Sequence, residues 1–263
     1  MNIRIFSLIF TTAVSLPMAL QTQGQQRNDD VVTRSFVITR GTEVVKKKPN
    51  PRTRPAGPIG IGYTVFIKGE NGKPARVNPT REFQNGDKVR FVIESNTDGY
   101  LYIFHQENNG SPKMLFPDPR LKWGDNQIEA HKQYEAPSGQ EPGDWWFNFV
   151  GPAATERFYL VVSRTRLPSV WSGERLVAHC RQNPKACPWR PADSTWKHLL
   201  AQATTETRES RSQSFGDAQN EIEQKTARRD VKLQPSDPAP AVIKINAAPA
   251  ARMIMAMVEI LHK

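Results

Sequence analysis

Lys88-Val-Arg-Phe-Val-Ile-Glu94, the turn residues Ser95-Asn-Thr-Asp-Gly99 and the run Tyr100-Leu-Tyr-Ile-Phe-His105 decide the fold class. In the first run Val89, Phe91 and Ile93 fall on one face and Lys88, Arg90 and Glu94 on the other. That two-residue period is the mark of a half-buried strand. Asn96 to Gly99 reads as a reversal between two strands. Asp98 has its ordinary role here as a turn former, in preference to a carboxylate held ready for chemistry.

The same texture extends in both directions. Ile61 to Lys68 (IGYTVFIK), Lys113 to Phe116 (KMLF), Trp145 to Val150 (WWFNFV) and Arg157 to Ser163 (RFYLVVS) are further strand-like runs, the last nearly all apolar and therefore central. Asn71-Gly72, Asn85-Gly86-Asp87, Asp98-Gly99 and Asn109-Gly110 separate the runs and are expected to supply the positive backbone dihedrals of tight turns. Short strands at such spacing predict a mainly β chain: an antiparallel β-sandwich or partly open barrel over residues 59–165.

Beyond Thr165 the periodicity becomes helical. Gly173 to Cys180 and Asp193 to Ala203 read as helices, the second with Asp193 or Ser194 placed to cap it and with Trp196, Leu199 and Leu200 on one face. Residues 166–203 are thus a small helical, Cys-containing extension. Residues 204–240 are polar and charged and read as a linker, with a helical pattern from Asp217 to Arg228. In the final segment, 241–263, Ala241 to Asn246 reads as a strand and Met253 to Leu261 as a strand or buried helix. So much apolar surface must dock, and the β domain is the simplest partner.

The first residues predict export. Arg4 precedes an apolar run from Ile5 to Leu20 that holds no ionisable side chain, contains Pro17, and is shorter than the roughly 20 residues of a membrane span. Thr22 and Gly24 are placed for cleavage before Gln25, so residues 1–24 read as a signal peptide and the mature chain as periplasmic or extracellular, with no transmembrane segment. Cys180 and Cys187 are the only cysteines, and in an oxidising compartment they are expected to pair, closing a short loop that stabilises the fold by roughly 2–3 kcal/mol. Zinc is disfavoured, because the spacing lacks the close Cys pairs of such sites.

The formal charge is +10, and half of it sits between Arg40 and Arg54, where six bases face one acid, Glu43. Residues 25–58 therefore read as a short strand, Ser35 to Thr39, followed by a basic Pro-rich arm. Lys46, Lys47, Lys48, Arg52 and Arg54 suit an anionic surface, but Pro49, Pro51, Pro55 and Pro58 favour the reading of a solvated, extended spacer. No aromatic side chain is interleaved with these bases, which argues against specific nucleic-acid binding.

Glu82 to Phe91, Glu94 to Phe104, Leu115-Phe-Pro117 and Thr155 to Ser163, in that order, resemble a bacterial family known as a domain of unknown function, DUF4384, over about residues 59–165. The resemblance implies a compact β-rich module of exported proteins, which in some relatives accompanies caspase-like peptidases or protein kinases as an accessory part. It carries over no catalytic residue.

No catalytic fingerprint stands out in the sequence. His105, His131, His179, His198 and His262 have no metal-ligand spacing, and no nucleophile elbow, phosphate loop or dinucleotide fingerprint occurs, so no catalytic residue, metal or cofactor is assigned. His105 and Glu107, at a strand end beside a turn, are the one place where a general base suggests an enzyme. Trp145, Trp146 and Phe147 offer a different hint: on a strand Trp146 points away from its neighbours, so one face carries a large ring that suits flat apolar contact or is covered by another segment. The leading expectation is a non-catalytic binding or interaction module of the cell envelope, its partner a protein or an envelope polymer. The rivals are an enzyme using His105 and Glu107, and a protein held to the envelope by its basic arm.

Overall fold

The computed structural model describes residues 57–120, 124–138, 145–203, 207–212, 215, 238–248 and 251–263. The export segment, the strand expected at Ser35 to Thr39, the basic arm from Arg40 to Arg54 and the helical pattern from Asp217 to Arg228 lie outside these residues.

In chain order the strands are β1 (Ile59–Lys68), β2 (Pro74–Val77), β3 (Glu82–Phe83), β4 (Lys88–Ser95), β5 (Gly99–Glu107), β6 (Lys113–Phe116), β7 (Gln127–Ile128), β8 (Gln133–Ala136), β9 (Phe147–Asn148), β10 (Ala154–Ser163), β11 (Thr207–Arg211), β12 (Val242–Asn246) and β13 (Met253–His262). Helices α1 (Gly173–Gln182) and α2 (Asp193–Ala203) fall between β10 and β11. One sheet runs β11-β12-β1-β4-β8, with β2 also on β1 and β9 on β4. The other runs β3-β13-β10-β5-β6, with β7 also on β5. All pairings are antiparallel except that of β3 with β13. The sheets are open and lie face to face as a sandwich.

Alternation along the strands builds the inner core. Ile59, Ile61, Tyr63 and Val65 of β1 and Val89, Phe91 and Ile93 of β4 meet Leu101 and Ile103 of β5, Phe158, Leu160 and Val162 of β10, and Ile254, Ala256, Val258 and Ile260 of β13. Residues of the opposite parity in the second sheet, Tyr102, Phe104, Tyr159, Val161, Met253 and Met255, form a separate core with Leu176 of α1 and Trp196 and Leu199 of α2. The helices are therefore a third layer over the outer face of that sheet. This is why β5 and β10 read as nearly continuous apolar runs, with both of their faces buried, whereas β13 is covered on both faces only over its first residues and exposes Met257, Glu259 and Leu261 beyond them.

Several local expectations need correction. Lys88 to Glu94 is not half-buried, since Arg90, Val92 and Glu94 on the outer face are buried too. Arg90 reaches the Glu135 carboxylate at 3.0 Å and lies 4.4 Å over the Trp146 ring. Trp145 to Val150 contributes only the two residues of β9, and Thr207–Arg211, inside the expected linker, is the strand β11. Asp193 opens α2 instead of preceding it: the Trp196 amide donates to the Ala192 carbonyl at 2.9 Å, and the Asp193 carboxylate sits in the first turn, where the helix dipole favours it.

The turn glycines also divide by role. Gly72 and Gly86 do adopt positive φ, at 73° and 92°, whereas at the Asn109-Gly110 turn that conformation falls on Asn108, at φ 49°. Gly99 is needed for a different reason: a Cβ there would lie 2.3 Å from the Ser163 carbonyl oxygen of β10. Asp98 is structural, its Oδ1 accepting the Ala130 amide at 2.7 Å.

Two stability predictions follow from this packing. Gly99→Ala forces β5 and β10 apart and is expected to cost about 1–3 kcal/mol in urea unfolding; an unchanged midpoint contradicts the close approach. Burial holds the Tyr63 phenol up at about 12, with Glu209 adding to the shift and Arg211 opposing it. The folded value exceeds that of an unfolded tyrosine, so its contribution to stability is complete below about pH 10 and is lost as pH rises through the folded value. Tyr63→Phe should remove that alkaline loss, measured as the pH dependence of the urea midpoint between wild type and variant; equal slopes contradict it.

Candidate functional site

At one end of the inner core, three polar side chains interrupt the apolar rows. Glu156 on β10 shares its face with Phe158, His105 on β5 shares its face with Ile103, and His262 on β13 follows Ile260 by two. The register places Phe158 opposite His105 and Ala154 opposite His262, which leaves Glu156 between the two imidazoles. His105 Nε2 hydrogen-bonds the Glu156 carboxylate, and His262 Nδ1 lies 4.0 Å from its other oxygen. The rings are packed on aromatic neighbours: His105 is 4.9 Å from Phe158, and His262 stacks on Phe149 at 5.4 Å.

The partner of His105 is thus Glu156. Glu107, the carboxylate expected to work with it, is exposed at the strand end. All three clustered residues are buried, His262 at 2% exposure, so a substrate has little route to them. A His-Glu pair has the chemistry of a general base; here His105 and Glu156 hydrogen-bond one another at the end of the core, while both ring nitrogens of His262 are buried with no hydrogen-bond partner among the described residues. Among the described residues no group of three or more His, Cys, Asp or Glu is arranged to hold a metal ion.

The three consecutive aromatics face three surroundings. Trp145 is 45% exposed. Trp146 lies under the Arg90 guanidinium on the outer face of the first sheet, whereas Phe147 turns inward, 6.2 Å from Phe91 and 5.6 Å from Phe158. They do not share one platform.

The helical layer holds the other site. Cys180 in the last turn of α1 is bonded to Cys187, with Cα atoms 5.6 Å apart. The loop they close carries a short 3₁₀ turn, Pro184–Ala186, and the chain leaving it is tied to the second sheet by the Met114 amide, which donates to the Trp189 carbonyl at 2.8 Å. Trp189 stacks on Trp171 at 5.6 Å; the Arg175 guanidinium lies 4.5 Å over Trp171, and the His179 ring meets Trp171 edge-on at 4.5 Å. Between these segments is a depression of about 400 Å³ lined by His179, Lys185, Ala186, Cys187, Pro188, Trp189 and Arg190. Among the described residues no carboxylate lines it. Sequence reading found the disulfide but missed this depression, although the signal was present: between Arg166 and Arg190 there are five Arg and Lys residues and one acid, Glu174.

The buried cluster predicts an asymmetry between two glutamates. Glu156→Ala leaves His105 without its buried acceptor and should cost roughly 1–3 kcal/mol, while Glu107→Ala should stay within about 0.5 kcal/mol. Denaturant melts of the two variants check this; equal losses would contradict the assignment of Glu156 as the partner.

No curated protein matches this chain, and no solved structure matches it. Residues 82–166, which run from β3 to just beyond β10, match the family model described as Domain of unknown function (DUF4384).

Proposed function

We propose that the chain is a non-catalytic binding module of the bacterial cell envelope, exported by residues 1–24 and associated there with an anionic protein or polymer surface. The observation that carries this reading is the helical layer: a bonded Cys180–Cys187 pair, which suits an oxidising compartment, braces a surface where His179, Lys185 and Arg190 gather without a carboxylate. The basic arm from Lys46 to Arg54 adds positive charge of the same sense. Among the described residues no helix is long and apolar enough to cross a membrane, so any attachment through these residues runs through surface contacts or strands. An enzymatic reading would have to use His105 with Glu156, both about nine-tenths buried, which favours the binding role.

Cell fractionation tests the proposal. The mature protein should begin near Gln25, and its association with isolated envelope should fall steeply with added salt, since screening lengths shrink to about 10 Å at 0.1 M ionic strength. Substituting Lys46, Lys47, Lys48, Arg52 and Arg54 together by Gln should remove the arm's share of that association without unfolding the domain. Intact Met1 in the cytosol, or no association with envelope at any ionic strength, would overturn the reading.

A further inference from the structure

We propose that the depression beside the Cys180–Cys187 bond is a binding site for a phosphate group carried on a ligand about the size of a sugar ring. This rests on the binding-module reading and assigns it a ligand class.

The nitrogen-bearing side chains of the lining come from three separate stretches of backbone. His179 lies in the last turn of α1, Lys185 in the 3₁₀ turn inside the disulfide loop, and Arg190 in the extended chain that follows it. Each stretch is fixed from outside the depression. The disulfide joins the first to the second, and the Met114–Trp189 hydrogen bond ties the third to β6. Arg190 Nη1 donates to the Ser111 carbonyl at 2.7 Å, which orients the guanidinium while leaving its other N–H groups for a ligand. Lys185 forms no ion pair with a described residue. The backbone carrying Lys185 and Arg190 is therefore fixed, and neither charge is paired with a carboxylate of a described residue.

The chemistry favours phosphate over the alternatives. A flat apolar ligand would need an open aromatic face, yet Trp171 is covered by Arg175 and stacks on Trp189, which is itself 8% exposed. What remains in the lining is a set of polar nitrogen-bearing side chains, His179, Lys185 and Arg190, carried by separate stretches of backbone. A tetrahedral phosphoryl group has oxygens to meet three such donors, whereas a planar carboxylate presents two. The carbonyl end of α1 lies nearby and opposes an anion, but Lys185 and Arg190 carry full charges against its partial one. A volume of about 400 Å³ is more than phosphate alone requires and lies within the range of small-molecule pockets, which leaves room for a ring.

The test uses the full-length oxidised protein at constant ionic strength. Inorganic phosphate, glucose 6-phosphate and glucose are titrated while the His179 ring resonances and tryptophan emission are followed, and a parallel arm measures flotation with phosphatidylglycerol vesicles against phosphatidylcholine vesicles. Saturable shifts with phosphate, stronger shifts with glucose 6-phosphate and none with glucose are expected. Lys185→Gln combined with Arg190→Gln should weaken the response about tenfold or more, that is by about 1.4 kcal/mol per decade. Lys185→Glu, at an exposed position, should do the same with an unchanged melting temperature. Flotation that depends on Lys185 identifies a lipid headgroup as the source; response to glucose 6-phosphate alone identifies a soluble or polymer-borne sugar phosphate. No saturable response to any phosphate form, or a response that the charge variants leave unchanged, overturns the site. If salt-dependent envelope association then persists, this site fails while the binding-module reading stands.

Discussion

The pairing of β13 with β10 is the constraint on which the other features depend. It runs in unbroken antiparallel register from Ala154 opposite His262 to Ser163 opposite Met253. Ile254, Ala256, Val258 and Ile260 point from β13 into the sandwich, while Met253 and Met255 point to the helical layer. Each large side chain fully buried this way contributes about 1.5–3 kcal/mol. The entropy cost of returning the chain from the helices grows only by about 0.6 kcal/mol per doubling of loop length. Docking prevails by a wide margin, and a segment distant in sequence becomes a central strand.

The same strand reaches both sites. Its last inward residue, His262, completes the group around Glu156 at one end of the core. Its first residues support Trp196 and Leu199, and through the shared core Leu176 of α1, whose last turn carries Cys180 and His179. The matched family segment, 82–166, contains neither β1 nor β13. Without them β3 loses the strand it pairs with and β4 loses its longest neighbour. In this chain residues 82–166 are completed into a two-sheet sandwich by two strands from flanking sequence, and the helical layer packs on β5 and β10 of the matched segment together with the first residues of β13.

Much of the fold was legible in the residues, for identifiable reasons. The alternation of Val89, Phe91 and Ile93 gives a strand and its core face, and the unbroken apolar run from Phe158 to Val162 gives a strand covered on both sides. β11 was not legible: Thr207-Arg-Glu-Ser-Arg211 is polar throughout, because an edge strand pairs by its backbone and gains nothing from apolar side chains. The Glu156 cluster was legible only in part. Alternation fixes the face of His105, of Glu156 and of His262, but which residues oppose one another depends on register between strands far apart in sequence, which periodicity does not encode. For the same reason Glu107, a neighbour in sequence, stood in for Glu156, a neighbour in space. The depression combines a sequence-local signal, the basic excess from Arg166 to Arg190, with tertiary contacts to Ser111 and Met114 that only the packed sheet provides.

The most direct test of this dependence is the thermal unfolding of a chain ended after Pro240, compared with the full-length protein by circular dichroism and hydrogen exchange. The account predicts that the truncated chain loses its cooperative transition, that β10 amides exchange freely, and that protection in α1 and α2 falls with them. A soluble truncated protein with an unchanged cooperative transition and protected β10 amides would contradict it.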